Sequence, residues 1–504
     1  MARWGTFKWG DGTKYGSSGL STLLWAFEVD WDNDGVFDGS NDAPRLVDLT
    51  IQRGTRNLLK ASGKGFEKPG VGNLIVALDN SDERYDPFNT SSPLYPNVWK
   101  DRYCRVRVKN GSEGTYYDVF SGKLDDIIPI SGRNEVRITA KDGWQILNET
   151  KVTIALQENI RVDEAIALVL DAVGWPELWG SSLDASRATL DYWWADDEIA
   201  GDVIKDLIDR EVGYFYISGS GEAVFLERYD DSSAVFSLTQ ADFLKEVAIT
   251  QPWETRRNVA QVFAHGILEN AQADLWTLQE TTRIGVDESI SMTVQYSYES
   301  KRLPAADVIS PVVDVDYQVN SQIDGAGVDL SDHFSVTASI YAKTATITVQ
   351  NNSGQVGYMT LLKIRGKALD QPDALTYEKD NSAGGEKRVF IMDNRWIYTI
   401  NTARGYAHFM VGYLNANNAY LTVYQKDQAA HQFGTDLTNL LNAAIDKKSI
   451  DGLYRMNYLE HRWQKQTGQL VKTTWYLIPA RDNSTYWRLG TSKLGLETKV
   501  AFGG

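Results

Sequence analysis

Four aspartates between positions 30 and 38 have the types and spacing best suited to chemistry in this chain of 504 residues. The run Asp30-Trp31-Asp32-Asn33-Asp34-Gly35-Val36-Phe37-Asp38 puts carboxylates at relative positions 1, 3, 5 and 9 and a glycine at 6. Hard oxygen donors so spaced converge on a calcium-sized cation, and the glycine permits the sharp turn they need. Asp30, Asp32, Asp34 and Asp38 would supply side-chain oxygens and Val36 its carbonyl, giving a structural Ca2+ site. The pattern departs at position 12, where Asn41 replaces the bidentate glutamate and Asp42 follows. The same residues also suit an acidic turn whose aspartates cap their own backbone.

Other reactive groups are poorly placed for catalysis. The histidines, His265, His333, His408, His431 and His461, are far apart and show no metal-binding spacing. Asp196-Asp197-Glu198 follows Trp193-Trp194, a carboxylate cluster beside rings that could stack on a sugar, as a glycosidase requires. Its place just before a helical pattern favours a helix N-cap instead, with Asp196 or Asp197 as the capping residue. Ser62 to Gly72 is glycine-rich but lacks the P-loop pattern and is followed by no helix, so it reads as a connection between strands. No catalytic residue is expected, and the chain reads as a non-enzyme.

Composition narrows the class further. The hydrophobic and charged fractions, 42% and 23%, are those of a folded soluble protein of several domains. There is no run of about 18 apolar residues, so no membrane span is expected. The opening Met1-Ala2-Arg3-Trp4-Gly5 lacks the apolar region of a signal peptide, which implies assembly in a cytoplasm. The single cysteine, Cys104, rules out an intrachain disulfide. A formal charge of −16 argues against tight nucleic-acid binding, while a negatively lined channel would let DNA slide past. The 16 tryptophans and 25 tyrosines suit strand anchors and subunit interfaces; the rival reading is a carbohydrate-binding protein or glycosidase with aromatic surfaces.

The elements that position these residues are mainly β. Residues 1–22 have no periodicity and read as an N-terminal arm. Leu46 to Gln52, Leu74 to Leu78, Arg105 to Val108, Tyr116 to Leu124 and Glu135 to Ala140 alternate as strands, with a hairpin turn at Gly132-Arg133-Asn134. A small α/β domain follows at 151–235. Its helices are expected over 160–173, closed by Gly174, and 198–212, closed by Gly213, and its hairpin spans 214–227. Residues 236–304 return to β patterning, and 305–370 read as an inserted β-sandwich. Residues 371–504 resume the β pattern around helices expected at 404–414 and 434–447. The hairpin of Val119 to Thr139 is echoed by Arg455 to Trp475.

The most distinctive stretch is Asn73 to Pro96, a buried strand running into a proline-stiffened loop, ALDNSDERYDPFNTSSPLYP. It resembles the N-terminal region of minor tail proteins of long-tailed bacteriophages, the tail-tip or baseplate hub proteins. YCRVRV (103–108), VFSGKLDD (119–126) and VRITAKDGW (136–144) continue the likeness in order, and Tyr486 to Gly490 with Leu494-Gly495 looks like the family's closing segment. The resemblance implies two tube-like β-barrel domains, here 23–150 and 236–304 joined with 371–504. It implies a homotrimeric virion protein at the tail tip of a siphophage-like particle. Expected partners are the distal tail protein, tail tube, tape measure protein and tail fibre or tip proteins, with gating of genome ejection. The stiff loop would then be a docking surface, with Tyr85, Phe88 and Tyr95 at the interface.

Overall fold

The computed structural model describes residues 23–37, 42–60, 63–67, 70–111, 114–130, 132–228, 233–239, 247–251, 255–415, 419–425, 429–445, 450–465, 471–480, 486–487 and 499–500. The expected arm at 1–22, Asp38, Asn41 and most of the closing motif, Arg488 to Gly490 and Leu494-Gly495, lie outside them. The mainly β class is observed.

The N-terminal region forms six strands: β1 (Leu23–Val29), β2 (Leu46–Gly54), β3 (Asn73–Asp79), β4 (Tyr103–Asn110), β5 (Tyr117–Ile130) and β6 (Glu135–Lys141), hydrogen-bonded in the order β1-β4-β5-β6-β3-β2. Strict alternation builds them. In β3, Leu74, Val76 and Leu78 are buried, and they meet Ile51, Leu49, Ile138 and Val136 on neighbouring strands. Cys104 is buried in the same core, and burial pushes its thiol pKa up, so it is inert.

A short helix the sequence reading did not foresee, α1 (Trp144–Glu149), leads into β7 (Lys151–Arg161), α2 (Val162–Ala172), β8 (Ser181–Leu183), β9 (Thr189–Ile199), α3 (Ala200–Glu211), β10 (Tyr214–Ile217) and β11 (Ala223–Leu226). Trp144 and the apolar stripes of α2 and α3 share one core with Trp193 and Phe215. Gly174 takes φ +65° after α2, as a helix-stopping glycine should. The expected cap at Asp196 or Asp197 is not observed: both lie in β9, and Ile199 stands at the N-cap of α3. β9 pairs with β7 through Glu198 and Ile199, and this long-range pairing carries the strand past the residues a cap would need.

Asp142 anchors the start of α1, accepting from Trp144 N at 3.1 Å. Burial raises its pKa to about 6, opposed by the Arg53 charge and by backbone donors. A folded-state pKa above the unfolded value means the native state holds the proton more tightly, so this group's contribution is greatest at low pH and is lost between about pH 4 and 6. Relative to Asp142→Asn, wild-type stability in urea melts should therefore fall by about 2–3 kcal/mol from pH 4 to pH 7. A constant difference would show that Asp142 ionises freely.

After β12 (Phe236–Thr239), β13 (Val247–Thr250) and β14 (Val259–Ala264), the chain builds an insertion of two sheets. Its strands are β15 (Leu268–Thr277), β16 (Thr282–Ile284), β17 (Ser289–Gln295), β18 (Ala305–Ile309), β19 (Tyr317–Asn320), β20 (Phe334–Ile340), β21 (Thr344–Asn351) and β22 (Gly357–Asp370). β15, β16, β18 and β19 all pair with β22, and β17 and β20 flank β21. The sandwich expected at 305–370 thus takes in three strands from 268–295. The boundary expected between 304 and 305 falls inside one core, in which Leu275, Ile284 and Val294 pack with Ile347 and Ile364.

β14 then pairs with β23 (Leu375–Asp380) and β24 (Val389–Met392), and α4 (Ile400–Leu414) packs on that sheet. The remaining elements are β25 (Tyr420–Gln425), α5 (Ala429–Phe433), β26 (Leu440–Ile445), β27 (Ile450–Gln464) and β28 (Val471–Pro479). The helix expected at 434–447 is replaced by β26. Leu441, Ala443 and Ile445 are buried on one face and Asn442 is exposed on the other, with β12 and β27 as its partners; a run of six mostly apolar residues is too short for its spacing to separate helix from strand. Thr438, at φ +62°, interrupts any helix before it.

β2 also pairs with β27, matching Asp48 with Gln464 and Gly54 with Tyr458. This ladder joins the two β regions into one twelve-stranded sheet, and no closed ring of strands occurs among the described residues. Trp25 of β1 packs against Trp463 at 6.1 Å and against Phe433 at 5.9 Å, so the C-terminal region also contributes to the N-terminal core.

Candidate docking surface

The segment between β3 and β4 is ordered by its own polar side chains. Asp79, Asn80, Asp86, Asn89 and Ser92 each accept a bond from a backbone amide further along, to Ser81, Tyr85, Phe88, Ser91 and Leu94 respectively, at 2.9–3.1 Å. The backbone adds a staircase of turns: the amides of Glu83, Asp86, Asn89, Ser92 and Tyr95 each bond the carbonyl three residues back. These are the turns that Asx and Ser residues favour, and together they spend most of the loop's conformational freedom before any partner arrives.

Tyr85 fastens the loop to the body. It is 0% exposed, and its hydroxyl donates to Asp42 Oδ1 at 2.6 Å. Trp31 Nε1 donates to Asp42 Oδ2 at 3.4 Å, and the Trp31 and Tyr85 rings lie 6.0 Å apart. Burial raises the pKa of Asp42 against the pull of these donors, and burial beside Asp42 pushes the Tyr85 hydroxyl up as well. Arg45 clamps Asp82 with two bonds of 2.8 and 2.7 Å, which holds that carboxyl below its usual range.

Of the three residues expected at an interface, Tyr85 faces the wrong way: it is a core anchor. Phe88 is 90% exposed and Tyr95 48%, and Trp99, which the sequence reading passed over, is 59% exposed. Trp99 was detectable as a further aromatic on the same Pro- and Asn-rich loop. The loop thus leaves three large rings about half or more in water, forgoing roughly 1.5–3 kcal/mol for each that could be fully buried.

The acidic run beside Trp31 brings the carboxylates of Asp30, Asp32 and Asp34 within 4.8 Å of one another, and it is the one cluster of at least three potential metal ligands among the described residues. Asp30 is 1% exposed and accepts from Asp34 N at 3.1 Å and Gly35 N at 2.9 Å, while Asp34 accepts from Val36 N at 2.8 Å. Gly35 takes φ +85°, the sharp turn expected. The geometry places three of the five expected ligands together and gives two of them backbone-capping work. For a calcium loop, millimolar Ca2+ should raise the melting temperature of the wild type and not of Asp32→Asn; equal melts with and without Ca2+ would leave it a capped turn.

The groups that could support glycan chemistry are otherwise engaged. Trp193 and Trp194 are 0% and 3% exposed, so neither can stack on a sugar. Asp196 pairs with Lys343 at 3.3 Å, Asp197 with Lys151 at 2.6 Å and Glu198 with Arg395 at 2.5 Å. His461 is buried against Thr473, and burial pulls its pKa down to about 3. A cleft lies where β2, α3 and β27 meet; its charged lining is Glu67 and the pair Lys205–Asp209, whose charges offset each other.

The architecture matches solved structures across nearly its whole length. A tail protein from Neisseria meningitidis MC58 superposes with a TM-score of 0.50 at 8% identity, covering 91% of this chain and 96% of that one. The chain has a phage tail-protein fold. The 43 kDa tail protein of prophage MuSo2 from Shewanella oneidensis aligns at 11% identity and a TM-score of 0.49, covering 90% of this chain and 98% of that one. Prophage tail protein gp18 from Listeria monocytogenes EGD-e aligns at 8% identity and 0.39, covering 90% and 94%. No family model matches the sequence, and no curated protein matches it. The tail-protein fold therefore shows in the tertiary structure at 8% identity in the first of these matches.

Proposed function

We propose that this chain is a structural hub subunit at the distal end of a phage-like tail. Three copies would form a ring that continues the tail tube, bind the distal tail protein on one side and fibre or tip proteins on the other, and gate passage of the tape measure protein and DNA. The observation that carries the reading is the pre-ordered Asn80–Arg102 loop with Phe88, Tyr95 and Trp99 exposed on a tail-protein fold that spans 91% of the chain. Stiffness lowers the entropy cost of assembly, and aromatic side chains supply most of the contact energy in typical interfaces. The negative charge of the chain suits a channel through which a polyanion slides without binding.

The test is assembly. Light scattering of the purified chain, alone and with the distal tail protein of the same tail, should give a trimeric mass. Phe88→Ser with Trp99→Ser should leave the melt of the isolated chain unchanged and weaken co-assembly by about 100-fold, on the order of the loss for hot-spot aromatics. Full assembly by that variant would remove the loop from the interface, and turnover of a glycan would overturn the structural role.

A further inference from the structure

Among the described residues, the sheet β17-β21-β20 of the insertion has two open edges, and no strand pairs with either. None of its three strands carries a charged residue or a proline: SISMTVQ, TATITVQN and FSVTASI. Both ladders run without a register shift. Folded proteins normally blunt such edges with charges, prolines or bulges, because bare amides and carbonyls recruit another strand. The same module does this elsewhere: edge strand β15 carries Glu269 and Asp274 and has two register shifts against β22. The contrast within one module makes the undefended sheet a feature of its own.

Its two edges also match each other. Ser289, Ser291, Thr293 and Gln295 on β17 and Ser335, Thr337 and Ser339 on β20 are exposed on one face. Cross-strand rows run Ser291–Thr348–Thr337 and Thr293–Thr346–Ser339. On the opposite face Ile290, Met292, Val336 and Ala338 are only half-buried against the module core. A strand added at either edge would extend the hydroxyl rows and cover those apolar groups without opposing like charges.

We infer that β20 of one copy pairs with β17 of the next, so that three insertion modules share one continuous sheet. A two-fold contact at one edge would leave the other bare; head-to-tail pairing protects both and closes under three-fold symmetry. β17 and β20 are both antiparallel to β21, so they run in the same direction and the joint between copies is parallel. This rests on the trimeric reading above and adds the surface that holds the ring.

Because Cys104 is buried, cysteines introduced at the edges can be cross-linked selectively. A chain carrying both Ser291→Cys and Thr337→Cys, treated with a short bis-maleimide, should give covalent dimers and trimers on a denaturing gel, and either single variant alone should give none. Thr337→Lys should weaken trimerisation about tenfold in dilution series by light scattering, with an unchanged melt. A trimer by scattering that neither cross-links nor responds to Thr337→Lys would refute the edge joint and leave the hub reading standing. Cross-linking by a single variant would show a two-fold contact and refute the ring joint, and a chain monomeric at every concentration would refute both.

Discussion

Arg53→Ala should lower the unfolding free energy by about 3–5 kcal/mol, enough to remove a large part of a typical domain's stability. The side chain is 3% exposed and stands where three parts of the chain meet. From β2 its guanidinium donates to Ile217 O of the α/β domain at 2.6 Å and to Val119 O of β5 at 3.5 Å, and it pairs with Asp436 before β26 at 2.6 Å. Asp436 in turn accepts from Gly219 N at 2.8 Å. Truncation would leave two carbonyls and a carboxylate short of donors in a water-poor seam, and it would also remove the charge that holds down the pKa of Asp142. Lysine cannot restore the fork of donors, so Arg53→Lys should recover less than half of the loss. Urea melts followed by circular dichroism measure this, and Asp436→Asn in the Arg53→Ala background should cost far less than in the wild type. A loss below about 1 kcal/mol for Arg53→Ala would mean that packing, not this ion pair, holds the seam.

Tyr85→Ala should cost about 3–5 kcal/mol, as expected for a large buried side chain whose cavity cannot collapse. Tyr85→Phe keeps the ring and removes the 2.6 Å donor to the buried Asp42 carboxyl, leaving Trp31 as its side-chain donor among the described residues, for a loss of about 1–3 kcal/mol. Phe88→Ser, three residues on and 90% exposed, should change the same melts by less than about 0.5 kcal/mol. The comparison separates anchoring from docking on one loop. Amide exchange over residues 80–102 should quicken in Tyr85→Ala and stay as in the wild type in Phe88→Ser. If Tyr85→Ala melted like the wild type, the loop would be held by its turns alone.

Local patterns proved the readable part of the sequence. Alternation located β2 to β6 because one face of each strand meets a core and the other does not, and the stripe ending at Gly174 located α2 for the corresponding reason in a helix. The Asx-rich run after β3 was readable as a stiff loop because those side chains bond amides only a few residues away. Where local and distant interactions compete, the reading failed. Leu437, Leu440, Leu441 and Ile445 have helical spacing, yet partners from residues 236–239 and 450–455 make the segment a strand. Asp196 and Asp197 have the chemistry of a cap, yet pairing with β7 extends β9 past them.

By itself, then, the sequence determined a mainly β chain, the positions of β2 to β6, an acidic turn at Asp30 and a rigid aromatic loop after β3. These follow from contacts within a few residues and from which side of each element is apolar. Only the tertiary structure decided that Tyr85 points inward while Phe88, Tyr95 and Trp99 point out, since neighbours on one loop differ only in what the rest of the molecule covers. It alone decided that β2 pairs with β27 across some four hundred residues. Backbone amides and carbonyls pair with any strand of suitable register, so the partner is chosen by the packing of the whole core and leaves no mark in the local sequence.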